Sequence, residues 1–202
     1  MRFSLKGRAV VAGGLVLAAA GFTTAGGYAT FTGSTSVGQS VDSGTLTVEL
    51  GAPGTAANRV SIPATGVAPG DTVERAVDLT TGGSVTAATA ALTTVAGTSS
   101  LLDSDPADGL QLVVDRCSVA WAETEVSSGV YTYACPGTAA TVLSASPVIV
   151  TDAALANLDL DGTVNHLRVT LSLPVTAGNE FQGLSSVIDY TFSAVQRPGT
   201  SR

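Results

Sequence analysis

The stretch VNHLRVTLSL, residues 164–173, decides the fold class. From Leu167 to Leu173 its apolar side chains occupy every second position, and polar side chains such as Arg168 lie between them. Strict alternation is typical of a β-strand with one face in the core and one face in water. The stretch VIDYTFSAV, residues 187–195, repeats the pattern. The two stretches predict antiparallel strands that each bury one face.

Further strand candidates precede these two, and turn-forming residues separate them. Residues 45–50, TLTVEL, alternate, and residues 85–95 form a longer run rich in Thr and Ala. Residues 67–71, VAPGD, predict a tight turn because proline presets one backbone angle and glycine supplies the left-handed one. Residues 80–84, TTGGS, predict a second turn.

Helices are predicted at two places. AALANL, residues 153–158, follows Asp152, whose side chain could cap a short helix. Leu101 and Leu102 are expected to begin a helical turn before Pro106. Many short strands with so few helices predict a mainly β fold, an antiparallel two-sheet sandwich or jelly roll with one or two short helices.

Length and charge limit the function classes. The chain has 202 residues, which suits one domain with a substantial core. Its formal net charge of -7 argues against nucleic acid or an anionic membrane surface as a partner, since binding to either needs clustered Lys and Arg. An acidic excess of this size mostly keeps a protein soluble.

Residues 1–29 have the character of a helical secretory signal peptide. Basic residues precede an apolar run over residues 9–20, and Gly27-Tyr28-Ala29 forms a small-x-small motif of the kind that precedes a signal peptidase cleavage site. The apolar run is shorter than the roughly 20 residues that a transmembrane helix needs. We expect cleavage between Ala29 and Thr30, with a cut after Ala20 as the alternative. No second apolar run follows, so the mature chain is expected to be secreted and free of the membrane.

Export would place the two cysteines in an oxidising compartment. Cys117 and Cys135 flank two extended runs joined by a polar connection, so a structural disulfide is expected. A hairpin in which Cys117 faces Cys135 would also place Val119 against Tyr133, and Trp121 against Tyr131 on the same face. A redox-active or metal-binding pair is the alternative, although CxxC spacing and a companion histidine are lacking.

The sequence offers little for catalysis. With one histidine, His166, an HExxH metal pair is impossible, and no GxSxG elbow marks a serine nucleophile. Asp103, Asp105 and Asp108, and separately Asp159 with Asp161, resemble pieces of calcium loops without the closing carboxylate. Acidic turns explain them as well, and a partial calcium site stays open as the alternative. We therefore expect no enzyme activity and no cofactor.

Four segments, in order, resemble the TasA/camelysin family of secreted bacterial proteins. GGYATF (residues 26–31) resembles the family's cleavage region, and SVDSGTLTV (40–48) its first core strand. VAPGDTVERAVDLTTGGSV (67–85) resembles its PGD turn, the following strand and the Gly-Ser turn. NEFQGLSSVIDYTFSAVQ (179–196) resembles its closing segment. The cysteine hairpin departs from this pattern, and the Ala/Gly/Thr-rich composition resembles that of an actinobacterial relative.

The resemblance implies a jelly-roll sandwich that a SipW-type signal peptidase releases and that self-associates into filaments of the extracellular matrix or cell surface. Residues 30–40 would be the donor strand for the next subunit, with Phe31, Val37 and Val41 as its anchors. Residues 41–196 would form the sandwich, and residues 197–202 a flexible tail. Two other functions stay open: a camelysin-like extracellular metallopeptidase, and a monomeric surface adhesin or binding module.

Overall fold

A computed structural model describes residues 44–60 and 67–199 of the chain. Several predictions concern residues outside these ranges: the signal peptide, its cleavage point at Ala29 and Thr30, and the assembly residues Phe31, Val37 and Val41. They stay predictions.

Ten strands and two short helical segments lie in the described residues. The strands are β1 (Leu46–Leu50), β2 (Thr72–Gly83), β3 (Ala87–Thr98), β4 (Gln111–Cys117), β5 (Ala122–Ser127), β6 (Val130–Ala134), β7 (Ala139–Pro147), β8 (Ala153–Leu155), β9 (Val164–Ser172) and β10 (Val187–Gln196). The helix α1 (Leu101–Ser104) lies after β3, and a single 3-10 turn (Asn179–Phe181) lies before β10.

The strands form two packed sheets and a separate hairpin. One sheet has five strands in the order β1-β2-β9-β4-β7, and the other has three in the order β10-β3-β8. Strands β5 and β6 form a two-stranded hairpin, and every strand pair is antiparallel. The predicted antiparallel two-sheet sandwich is therefore confirmed.

The hydrophobic core lies between the five-stranded and the three-stranded sheet. Each fully buried Leu or Val side chain in it stabilises the fold by about 1.5–3 kcal/mol relative to exposure. The five-stranded sheet contributes Val77, Leu79, Leu112, Val114, Val142, Leu167 and Val169, and the three-stranded sheet contributes Ala90, Leu92 and Leu155.

The alternating stretches fold as their patterns predict. In β9, Leu167 and Val169 are buried, whereas Arg168 between them is half-buried on the outer face. In β10, Tyr190 and Phe192 face the core, and Asp189 and Thr191 are exposed. The predicted turn at residues 67–71 also forms: Gly70 has a φ of 93°, and the N–H of Asp71 donates to the carbonyl of Ala68 at 2.9 Å.

One helix prediction is confirmed and one is wrong. Leu101 and Leu102 begin α1, where the Ser100 hydroxyl accepts a hydrogen bond from the N–H of Leu102. The segment after Asp152 is instead strand β8, because its backbone pairs with β3. Asp152 has a φ of 48°, and its side chain accepts a hydrogen bond from Thr93 rather than capping a helix. Pairing with a distant strand here overrides a local helix signal.

The predicted turn at residues 80–84 is also misplaced. Strand β2 continues to Gly83, because β1 pairs with its second half. Gly83 has a φ of 119°, and a side chain there would collide with the carbonyl oxygen of Thr45. The chain bends only after Gly83, where the Ser84 hydroxyl accepts a hydrogen bond from the N–H of Thr45.

Candidate functional site: a cross-linked hairpin and an open side of the sandwich

The predicted disulfide is present. Cys117, the last residue of β4, bonds to Cys135, which directly follows β6, across a Cα–Cα distance of 5.6 Å. Cys117 is fully buried and Cys135 is half-buried. The bond therefore fastens the base of the β5–β6 hairpin to the edge of the core.

The predicted register around the disulfide is wrong. Tyr133 pairs with Glu123, and Tyr131 pairs with Glu125, so Val119 and Trp121 do not face the tyrosines. The reason is that residues 118–121 form a bend between β4 and β5. Strand β4 then pairs with β9 and β7, and β6 pairs with β5.

Trp121 places the start of the hairpin on the outer face of β9. Its indole N–H donates to the carbonyl of His166 at 2.9 Å, and its ring lies 4.7 Å from the guanidinium carbon of Arg168. Arg168 in turn bridges Glu74 of β2 at 3.0 Å and Asp115 of β4 at 2.9 Å. Arg168 thus links the three central strands β2, β9 and β4, and its half-buried guanidinium group makes a cation–π contact with the Trp121 ring.

A second arginine holds the middle of the hairpin. Arg59, in the loop after β1, donates two hydrogen bonds to Glu123, at 3.1 and 2.7 Å, and stacks 4.7 Å from the ring centre of Tyr131. The Arg59 bonds lower the pKa of Glu123 below its ordinary range. Glu123 also accepts a hydrogen bond from Tyr133, and burial together with that bond raises the pKa of Tyr133 to about 12.

His166 lies on the outer face of β9, as its sequence position predicts. Its Nδ1 atom is 2.7 Å from a carboxylate oxygen of Asp78 on β2. The two residues are direct partners in the strand register. This hydrogen bond joins two neighbouring strands. It lies on the same outer face of the sheet as the contacts of Arg168, because His166 and Arg168 are two positions apart in β9.

The carboxylates of the acidic turns are bonded by groups of the protein itself, both near and far in the sequence; Asp108, for example, accepts a hydrogen bond from the hydroxyl of Thr176. Asp103 accepts hydrogen bonds at the start of α1, and Asp105 accepts two backbone N–H bonds that lower its pKa. Asp159 pairs with Arg116, and Asp161 accepts a bond from a threonine hydroxyl. The described residues contain no group of three or more His, Cys, Asp or Glu side chains that could hold a metal ion.

The two lateral sides of the sandwich differ. On one side, which we call the closed side, the chain after β7 crosses to the three-stranded sheet. The Thr94 hydroxyl donates to the carbonyl of Val148 at 2.6 Å and accepts from the N–H of Val150 at 2.8 Å. The N–H of Ala156 donates to the carbonyl of Val142 at 3.0 Å. These bonds join the edge strand β7 and the segment that follows it to the three-stranded sheet.

On the other side, which we call the open side, the edge strands β1 and β10 lie next to each other. Within residues 44–60 and 67–199, each has a strand partner on one edge, and no hydrogen bond joins β1 to β10. Strand β10 runs for ten residues without a proline and with one charged side chain, Asp189. A long, weakly charged edge strand is a ready surface for pairing with another strand.

Sequence reasoning identified the disulfide, but it missed the contacts that hold the hairpin. Arg59 and Glu123 lie 64 positions apart in the chain, and nothing local links them. The one available signal was Arg168, a long cation on the polar side of a strand that also carries His166. Together with the lone tryptophan of the chain, Trp121, such a residue could have suggested a cation–π pair.

No helix in the described part of the chain has the length and apolar character needed to cross a membrane. Comparison of the sequence with models of known protein families gives no match, and comparison with curated proteins gives none either.

Proposed function

We propose that the protein is a secreted structural subunit that assembles into TasA-like extracellular fibres through its N-terminal strand. In this proposal a SipW-type signal peptidase cuts between Ala29 and Thr30. Residues 30–40 of one copy then pair with an edge strand of the next copy. Insertion from head to tail does not close on itself, so repetition produces a filament.

The observation that carries the proposal is the open side of the sandwich. Edge strands present unpaired main-chain groups, which an added strand can satisfy with hydrogen bonds, while pockets for alternate side chains supply specificity. The closed side already has hydrogen bonds between its two sheets, so it offers less room for a new strand. The open side is therefore the better receptor.

The chemistry of the donor segment fits such a receptor. Phe31 and Val37 in this segment, and Val41 directly after it, all have odd numbers, so in an extended chain their side chains point to the same face. The core face of β10 carries the half-buried Tyr190 and Phe192. A donor strand beside β10 would add its apolar side chains to this row.

The test compares fibre formation by three secreted variants with that of the natural chain. Deletion of residues 30–40, and separately the double substitution Phe31→Ser and Val37→Ser, should leave a folded monomer that forms no fibres in electron micrographs. The double substitution Thr30→Ser and Thr32→Ser alters the opposite face of the strand and should leave fibres intact. Fibres of unchanged yield from the deletion would refute the proposal.

A further inference from the structure

Two of the acidic turns contain an Asp-Gly pair, Asp108-Gly109 and Asp161-Gly162. The backbone nitrogen that follows an aspartate can attack the carboxyl carbon of that aspartate and close a succinimide ring. Glycine at the second position hinders this attack least, because it has no Cβ atom. The reaction also requires that the carboxyl group lies beside the following peptide and that the peptide nitrogen is accessible. The two pairs differ in both respects.

The Asp161-Gly162 pair lies in the loop that joins β8 to the central strand β9. The fully buried Asn165 anchors this loop. Its side-chain nitrogen donates to the carbonyl of Asp159 at 2.7 Å, and its side-chain oxygen accepts the N–H of Asp159 at 2.8 Å. Between these anchored positions, Asp161, Gly162 and Thr163 are all exposed. Solvent therefore reaches both the carboxyl group and the peptide that would react.

The side chain of Asp161 lies along the backbone that follows it. Its carboxylate accepts a hydrogen bond from the hydroxyl of Thr163, two residues further on, at 2.8 Å. A carboxylate that reaches past Gly162 to this hydroxyl lies beside the intervening peptide, which carries the Gly162 nitrogen. Gly162 has a φ of 94°, a left-handed backbone conformation that favours glycine. The geometry of the loop therefore favours approach of the Gly162 nitrogen to the carboxyl carbon.

The Asp108-Gly109 pair has the opposite arrangement. The carboxylate of Asp108 accepts a hydrogen bond from the hydroxyl of Thr176, 68 positions away, at 2.6 Å, so it is directed towards another segment of the chain. Gly109 is buried, and its N–H donates to the carbonyl of Asp105 at 3.1 Å. A side chain at Gly109 would collide with that same carbonyl oxygen. Ring closure at this pair first requires local opening of the turn.

We infer that Asp161-Gly162 is a site of spontaneous isoaspartate formation, and that the fold protects Asp108-Gly109 from the same reaction. The Gly162 nitrogen bonds to the carboxyl carbon of Asp161, and the hydroxyl of the neutral carboxyl group leaves with the amide proton as water. Water then opens the ring. Opening at the side-chain carbonyl restores aspartate, whereas opening at the main-chain carbonyl leaves the chain connected through the side chain, as isoaspartate. This inference does not depend on the proposed fibre function.

Uptake of heavy oxygen from water tests the inference on the secreted chain, because each cycle of ring closure and opening adds one solvent oxygen to the aspartate. The bond from Thr163 lowers the pKa of Asp161 and keeps its carboxyl group ionised, so the incubation must be long. The folded chain is incubated in heavy-oxygen water, reduced, and digested with trypsin in ordinary water. Digestion separates the two pairs into peptides 76–116 and 117–168. Peptide 117–168 should gain at least roughly tenfold more label, because the amide of Gly109 reacts only after local opening.

Two conservative variants and a peptide complete the test. Asp161→Glu keeps the charge but would need a larger ring, which closes far more slowly, so peptide 117–168 should lose its label. Asp108→Glu makes the same change at the protected pair and should leave the label of peptide 117–168 unchanged. A synthetic peptide of residues 158–164 gives the rate of labelling without the fold. If the folded chain labels peptide 117–168 at less than about one tenth of that rate, or if the label persists in Asp161→Glu, the inference is wrong.

Discussion

Removal of the disulfide should lower the free energy of unfolding by about 3 kcal/mol. The two cysteines are 18 positions apart, and closing a loop of that length removes unfolded-state entropy worth about 3 kcal/mol at 25 °C in the chain-entropy model. The double substitution Cys117→Ser and Cys135→Ser imposes this loss without leaving a free thiol. Because small domains have about 5–15 kcal/mol of stability, the variant should still fold.

Guanidinium denaturation followed by two probes measures this loss. Trp121 is the one tryptophan of the chain, and it lies against Arg168, so its fluorescence reports on the hairpin. Circular dichroism reports on the strands of both sheets. We expect both transitions to shift to lower denaturant, and the tryptophan transition to shift by at least as much. A loss below about 1 kcal/mol would refute the reasoning, since the cross-link would then restrict little of the unfolded chain.

Two other predictions concern the core and the hairpin. Leu167→Ala should lower the free energy of unfolding, measured by chemical denaturation, by about 2–5 kcal/mol, because the side chain is fully buried. Val175→Ala, at a residue 81% exposed, should change that free energy by no more than about 0.5 kcal/mol. Equal effects of the two substitutions would contradict the assigned core. For Glu123, the bonds from Arg59 lower the folded pKa below the unfolded value of about 4.3, so the native state binds fewer protons. The contribution of Glu123 to the free energy of unfolding is therefore fully present above about pH 4.3, and it is lost as the pH falls through the folded pKa. Unfolding curves should show that the natural protein is more stable than Glu123→Gln at neutral pH, and that the difference in free energy of unfolding becomes smaller in acid. A difference that does not depend on pH would exclude this ion pair as its cause.

Local patterns were enough to predict the strands that bury one face. In β9 and β10 the alternation of apolar and polar residues reflects burial directly, so it identifies both the strand and its core face. The Pro69-Gly70 turn is equally local, because its backbone angles depend on those two residues. The disulfide also followed from composition, since the chain has two cysteines and a predicted export signal.

The errors arose where a distant partner decides the structure. The segment after Asp152 has a capping residue and good helix formers. It nevertheless forms a strand, because its backbone hydrogen bonds with β3 stabilise it more than an isolated helical turn would. The hairpin register depends on how many residues the bend between β4 and β5 uses, which the spacing of Cys117 and Cys135 does not reveal. The Arg59–Glu123 contact depends on the packed sheet, and no sequence window contains both residues.

The central position of β9 has a consequence for the order in which the chain can fold. Strands β2 and β4 come far earlier in the sequence, yet they do not pair with each other, and β9 lies between them. Until β9 is available, both have an unsatisfied edge and exposed apolar side chains. Sheets built from such non-local pairings fold in about milliseconds to seconds rather than microseconds. We expect an incomplete chain that ends before Val164 to stay unfolded, because its largest sheet lacks the strand that joins its two halves.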